Sequence, residues 1–389
     1  MRTLLITGPG GSGRTTVAAG TALAAARAGA RTLVLGTDRT DTLGAVLGVP
    51  VGAGPVEAAP GLTARRVDHD ATFRDDLLSL QDRAGAALDL LGASRLEPEE
   101  LTPLPGAEEL ALLRALRDAA LSEAYDLLVV DLPPSERALA LFALPAELRR
   151  YLRRLLPPER QAARALRPVL GRLAGVPLPA ERLYETAARW DLELAAVEAV
   201  LADRSTTVRL VAEPSPAGAD AVRTAVLGLA LRGLRADGLV ASRVLPEDLD
   251  DSWLAGPVAQ QRKTLADWRE TFTVHPVAHL GRDPRGTEDL AALGLPGAGE
   301  APAAVDWPLT DRLTDDGVLA WSIPLPGARR EDLDLIRRGD ELVLAAGPFR
   351  RVVALPSALR RCTVDGAALR EGELTIRFRP DPGLWPQGR

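Results

Sequence analysis

The chain has 389 residues, 46% hydrophobic and 26% charged, which is enough apolar material for about two or three packed domains and too much for a disordered tail. Its 47 basic and 53 acidic residues leave a formal net charge of −6, so no global positive field draws nucleic acid or an anionic membrane. The one cysteine, Cys362, excludes an internal disulfide, a CxxC zinc site and an iron–sulfur cluster held by a single chain.

The apolar run in MRTLLITGPGG is too short for a signal peptide, and no later stretch approaches a membrane span. The expectation is a cytoplasmic protein without stable membrane insertion. Lys263 is the only lysine, so basic positions are almost all arginine.

In chain order, TLLIT (residues 3–7) reads as a strand and is followed by the glycine-rich GPGGSGRTT from Gly8 to Thr16. An alanine-rich helix runs to about Arg27, and RTLVLGTD (Arg31 to Asp38) is a second strand ending in an acid. LTARRVD (62–68) reads as another strand, and residues 70–122 as helix broken at Pro103, Pro105 and Gly106. YDLLVVD, Tyr125 to Asp131, has the continuous apolar composition of a central strand buried on both faces. Residues 135–202 are helical in pattern. Strands return at 206–212, 237–242 and 272–278, with a helix over 217–234.

The expected class is therefore α/β, a mostly parallel sheet with helices on both faces and a helical insertion. The unpatterned GLPGAGEAPAAVD points to a linker, placed at 296–306. Beyond it, short alternating runs such as VLAWSIPL and ELTIRF predict a small all-β sandwich over 307–389.

The Gly8–Thr15 segment fits the phosphate-binding pattern GxxxxGKT except that Arg14 stands for the lysine. Glycines let backbone amides curl around phosphate, and the next helix offers its positive end. A tight strand-to-helix turn is the alternative.

Further segments join in order: Thr37-Asp38, then PGAEE (105–109), then YDLLVVDLPPSERALALFALP (125–145), then DGLVASRVLP ending at Pro246. This series, over residues 1–295, resembles the ArsA family of deviant P-loop ATPases, which includes the arsenite-pump ATPase and the targeting factor for tail-anchored membrane proteins. The segment 307–380, with LPGARREDLDLIRRGDELVLAAG and RRVVALP, resembles the α-crystallin domain of small heat-shock proteins.

The resemblance implies a homodimeric, nucleotide-dependent protein that binds ATP or ADP with Mg²⁺ and handles a protein client. Residues 70–122 and 146–202 would form the client-type helical subdomain, although burial in a core is the more common reason for such apolar faces. By position, Gly8, Gly10, Gly11, Ser12 and Gly13 correspond to the phosphate cradle, and Thr15 and Thr16 to the hydroxyls on Mg²⁺ and α-phosphate. Asp131 matches the acid near Mg²⁺. Asp38 matches the catalytic aspartate that orients water, with a helix cap as its other reading. Ser242 and Arg243 match the nucleoside-contacting pair.

Four positions depart from the family pattern. Pro9 replaces the lysine that reaches across the dimer, and Arg14 replaces the β/γ-phosphate lysine. Glu136 replaces a glycine beside the γ-phosphate, and Ser242 replaces the asparagine that reads the base. Together they predict retained or weakened nucleotide binding with slow or absent hydrolysis. A pseudo-ATPase scaffold is the other reading. Arsenite binding and a zinc clamp through cysteines lack their residues, and His69, His275 and His279 are too scattered to suggest a metal site.

Overall fold

The computed structural model describes residues 1–91, 94–156, 179–247, 253–303 and 306–385. Side chains of 83–91 and 179–183 are outside that description. Much of the expected helical insertion, residues 157–178, lies outside the described residues.

Among the described residues an eight-stranded sheet forms the larger domain. Its strands are β1 (Arg2–Thr7), β2 (Thr32–Gly36), β3 (Val56–Ala59), β4 (Leu62–Arg66), β5 (Leu127–Asp131), β6 (Thr206–Ala212), β7 (Ala236–Val244) and β8 (Val274–Ala278). Their order is β3-β4-β2-β5-β1-β6-β7-β8, and every pairing is parallel except β3 with β4. β2, β5 and β6 are buried at every residue, because helices cover both faces of a parallel sheet and leave no wet side to alternate toward.

One face of the sheet is covered by α1 (Arg14–Arg27), α2 (Thr42–Leu47) and α9 (Gly286–Ala292). The other face carries α4 (Ala107–Ala120), α5 (Ser135–Leu155), α6 (Pro179–Ala202), α7 (Pro216–Arg232) and α8 (Ala255–Arg269). α3 (His69–Leu91) runs beside α4. Strand β3 and helices α8 and α9 are findings of the structure, since neither periodicity nor composition marked them.

The C-terminal β-module has a four-stranded sheet, β14-β15-β10-β9, and a three-stranded one, β11-β12-β13. The strands are β9 (Leu309–Arg312), β10 (Val318–Pro324), β11 (Leu333–Arg338), β12 (Glu341–Ala346), β13 (Phe349–Ala354), β14 (Cys362–Arg370) and β15 (Glu373–Pro380). Here burial alternates along β12 and β15, so Leu342, Leu344, Ile376 and Phe378 point into the shared core.

That core also takes Leu227 and Leu231 of α7, so the module is docked on the larger domain. Arg351 donates to the carbonyl of Leu231 at 2.8 Å and lies 5.0 Å from the ring centroid of Trp307. Arg150 of α5 pairs with Glu341 of β12 at 3.2 Å. Gly228 permits the approach, since a Cβ there would lie 2.7 Å from Leu139 and 3.0 Å from Phe349.

Among its described residues the linker carries no regular element, yet it is pinned along the N-terminal end of the sheet. Arg209 donates to the carbonyls of Pro296 at 2.9 Å and Gly297 at 3.1 Å. Arg2 and Arg235 reach Gly299 and Pro302, each at 3.3 Å. Gly/Pro/Ala composition describes the segment's intrinsic freedom, whereas three arginines from β1, β6 and the α7–β7 turn decide its conformation.

Candidate functional site

The candidate site lies where β1, β2, β5, β6 and β7 end together, the edge at which open parallel sheets bind ligands. The loop from Gly8 to Gly13 leaves β1 so close to β6 that a Cβ on Gly8 would lie 1.9 Å from the Val211 carbonyl oxygen. Gly11 and Gly13 have φ of 78° and 84°, the left-handed region that side chains avoid. Gly13 then starts α1 without a side-chain cap, so the helix begins with uncapped first-turn amides. Gly10 and Gly11 are exposed, and a Cβ on either would meet nothing within 4 Å. An open cradle of this kind accepts an anion.

Beside it, Asp131 at the end of β5 is 2% exposed, and its Oδ1 has no partner. Burial pushes its carboxyl up to about 7; the Thr15 hydrogen bond and the Arg14 charge oppose that rise, and the Asp38 charge adds to it. The backbone around it is fixed. Thr37 donates to the Asp131 carbonyl at 2.6 Å, and Thr7 donates to the Pro133 carbonyl at 2.8 Å. Ser12, 4% exposed, is likewise left with a buried, unpartnered hydroxyl. Arg14 turns its guanidinium onto the carbonyl of Leu132.

Asp38 follows β2, and its carboxylate accepts from the Thr42 hydroxyl at 3.0 Å. The N-cap of α2 is Asp41, which accepts from Gly44 and Val51, both at 2.8 Å. Another aspartate thus performs the capping that was the other reading of Asp38. Thr15 and Thr16 lie in the first turn of α1, whose N-cap is Gly13.

Ser242 and Arg243 end β7 and line a cleft of about 290 Å³ together with Gly13 and Thr16. Its other walls are Thr42, Ala45 and Val46 of α2 and the segment Val277 to Arg285 after β8. Ser242 is 4% exposed with an unpartnered hydroxyl. Arg243 sits at φ 54° and pairs with Glu213 at 2.6 Å.

Several residues of this region were not singled out as site residues. His69 is buried, its Nε2 donates to the Thr37 carbonyl at 2.8 Å, and its Nδ1 has no partner. Glu108 of the PGAEE segment bridges Arg39, next to Asp38, and Arg137, just after Ser135. That arginine pairing holds the Glu108 carboxyl below its usual range. The wall from 277 to 285 carried the weak signal HLGRDPR, polar and turn-rich directly after a strand.

No group of three or more His, Cys, Asp or Glu side chains is placed to hold a metal among the described residues. A Mg²⁺ ion bound with nucleotide needs little from the protein, because phosphate oxygens and water complete its octahedron. The orphaned Asp131 Oδ1 and the neighbouring Thr15 hydroxyl fit that demand. Among the described residues no helix is long and apolar enough to cross a membrane.

Comparison with known proteins gives the same assignment. Residues 1–293 match the anion-transporting ATPase family, ArsA, and residues 316–378 match the HSP20-like domain found in ArsA proteins. An uncharacterized protein of Streptomyces coelicolor is 75% identical over 390 residues, covering 100% of both chains. A Mycobacterium tuberculosis protein is 34% identical, with 99% of this chain and 97% of that one aligned. The Aquifex aeolicus protein named "Putative arsenical pump-driving ATPase 1" is 25% identical over 97% of this chain and 99% of its own. The phosphate-type loop on a mostly parallel sheet, joined to a β-module of the expected kind, has its explanation in descent: the chain belongs to the ArsA ATPase family, as a nucleotide-binding protein with the HSP20-like domain of that family at its C-terminal end.

Proposed function

We propose that this protein binds ATP or ADP with Mg²⁺ on the Gly8–Thr16 loop, hydrolyses ATP slowly or not at all, and uses the bound nucleotide as a switch. The observation that carries this reading is the grouping of three unpartnered buried side-chain atoms, Ser12 Oγ, Asp131 Oδ1 and Ser242 Oγ, around one open glycine cradle and its cleft. Buried polar atoms are nearly always paired, so three orphans at one sheet edge call for a polar ligand.

In this reading the backbone of Gly10, Gly11 and Gly13 cradles phosphate, and Thr16 lies at the α-phosphate. Thr15 and Asp131 would hold the metal, which would spread the negative charge of the phosphate oxygens. Asp38, not needed as a cap, orients the attacking water. The brake on hydrolysis has three parts. Pro9 brings no charge and removes a backbone donor. The Arg14 guanidinium is engaged on Leu132 rather than free in the loop. Glu136 adds a carboxylate to the first turn of α5. Removing one preorganised charge-stabilising donor typically slows such chemistry by about 10²–10³.

The Arg14–Leu132 contact also favours a second reading, a scaffold with little or no nucleotide binding. ATP turnover by the wild type and by the Pro9→Lys/Arg14→Lys pair separates the two. Turnover gained by the pair supports a degraded but working site, and an absence of binding in both supports the scaffold.

We further propose a cytoplasmic homodimer that handles a protein client. Family membership, the HSP20-like module and the exposed apolar side chains Tyr151, Leu155, Trp190 and Leu192 on α5 and α6 support this. Light scattering on the full chain with and without ATP reads the dimer directly.

A further inference from the structure

We infer that the seam between the β-module and the larger domain holds a small oxyanion of the phosphate class, bound by the guanidinium groups of Arg232 and Arg351. Both residues lie outside the nucleotide site, so the seam site stands or falls separately from the nucleotide reading.

Arg232 ends α7 of the larger domain, and Arg351 lies in β13 of the module. Arg351 donates from Nη1 to the carbonyl of Leu231, the residue before Arg232. Burial, and then the charge of Arg232, lowers the Arg351 pKa. Among the described residues Arg232 forms no hydrogen bond and no ion pair, and its Nε is buried without a partner. Arg351 has the Leu231 carbonyl and the Trp307 face at 5.0 Å, but no carboxylate within ion-pair distance among the described residues. The Trp307 indole N–H is likewise buried and unpartnered. Both arginines are partly exposed and Gly233 beside them is exposed; a Cβ on Gly233 would lie 3.9 Å from Arg351 Nη1, so an ion can reach this turn from solvent.

Arginine keeps its charge in proteins, so burial here is not relieved by loss of a proton. Buried charges are paired in folded proteins, and two neighbouring guanidinium groups repel each other. The carboxylates whose charge reaches them are placed elsewhere. Glu147 of α5 stands exposed and acts on Arg232 through its charge without an ion pair. Glu198 of α6, which acts on Arg351, is held by Arg149. A guanidinium fork matches the oxygens of phosphate or sulfate two at a time, a fit that chloride does not offer, and a multiply charged anion balances two arginines. An occupied site joins α7 to β13 and so ties the module to the larger domain.

The test is thermal unfolding of the full chain with chloride exchanged for inorganic phosphate at constant ionic strength, for wild type, Arg232→Gln, Glu147→Gln and Gly13→Val. Phosphate at about 10 mM is expected to raise the wild-type Tm by about 2 °C. Arg232→Gln should lose most of that rise, while Glu147→Gln and Gly13→Val keep it. Hydrogen exchange should show phosphate slowing the amides of residues 231–234 and 350–353 in the wild type and not in Arg232→Gln. A rise kept in Arg232→Gln and lost in Gly13→Val puts the anion on the glycine-rich loop and overturns the inference. Equal rises in all four proteins, as a general salt effect would give, overturn it, and so does no rise in the wild type. If Glu147→Gln lowers the Tm in chloride as far as Arg232→Gln does and phosphate moves neither, Glu147 is the partner of Arg232 and the inference falls. Should a variant not fold, the wild-type exchange map decides: slowing at the seam supports the site, and slowing elsewhere only, or nowhere, overturns it.

Discussion

The amide of Ser135 donates to the carbonyl of Gly8 at 2.9 Å. This bond ties the first residue of α5 to the first residue of the glycine-rich loop. The same helix reaches Gly228 of α7 through Leu139 and the β-module through Arg150. One element therefore spans from the candidate phosphate site to the docked domain.

Space at the start of the loop sets the first expectation. A Cβ on Gly8 would meet the Val211 carbonyl oxygen, whereas one on Gly10 would meet nothing. Gly8→Ala should lower the unfolding free energy by about 2–3 kcal/mol, as backbone displacement in a packed region does. Gly10→Ala should change it by less than about 0.5 kcal/mol. Urea denaturation of both variants measures the contrast.

Asp131 gives a pH signature. Its folded carboxyl titrates near 7, well above its unfolded value, so the native state binds the extra proton between those two values. The stabilising contribution of this group is full at low pH and is lost as pH rises toward 7. Asp131→Asn should therefore match the wild type near pH 4 and exceed it by about 4 kcal/mol at pH 8, without nucleotide. Urea titrations at the two pH values compare them; an equal difference at both contradicts the shift.

The buried pair Arg209–Asp237, 2.9 Å apart with both side chains 4% exposed, sits under the pinned linker. Asp237→Asn should cost about 3–5 kcal/mol by leaving an uncompensated buried guanidinium. It should also loosen residues 296–299, which hydrogen exchange would report as faster amide exchange there.

Docking of the β-module depends on Arg351. Burial, and the nearby Arg232 charge, lower its pKa, yet it holds the Leu231 carbonyl and the Trp307 face. Arg351→Met should cost about 2 kcal/mol and separate unfolding of the module from that of the larger domain. Calorimetry would show two transitions in the variant and one in the wild type.

Much of this arrangement was legible in the sequence for identifiable reasons. LLVVD and TTVRLVA are buried on both faces, so their burial leaves runs rich in leucine and valine without polar alternation, with Arg209 the charged exception. The Gly8–Thr16 loop is legible because positive φ demands glycine at Gly11 and Gly13. Less legible features depend on distant residues. Val277 to Arg285 becomes a cleft wall only because β8 follows β7 in the sheet. Asp41 caps α2 and Asp38 does not, a choice that two aspartates three residues apart cannot reveal. The three-arginine clamp on the linker joins residues 67, 87 and 297 positions apart, and no local pattern encodes it.

The central claim is that the Gly8–Thr16 loop receives the phosphates of a nucleotide. Equilibrium titration of the full chain with ATP in the presence of Mg²⁺, set beside the same titration of Gly13→Val, tests it most directly. The account predicts saturable binding of one nucleotide per chain, lost when a β-branched side chain is forced onto φ 84° at the head of α1. Equal binding by both proteins, or none by the wild type, would contradict it.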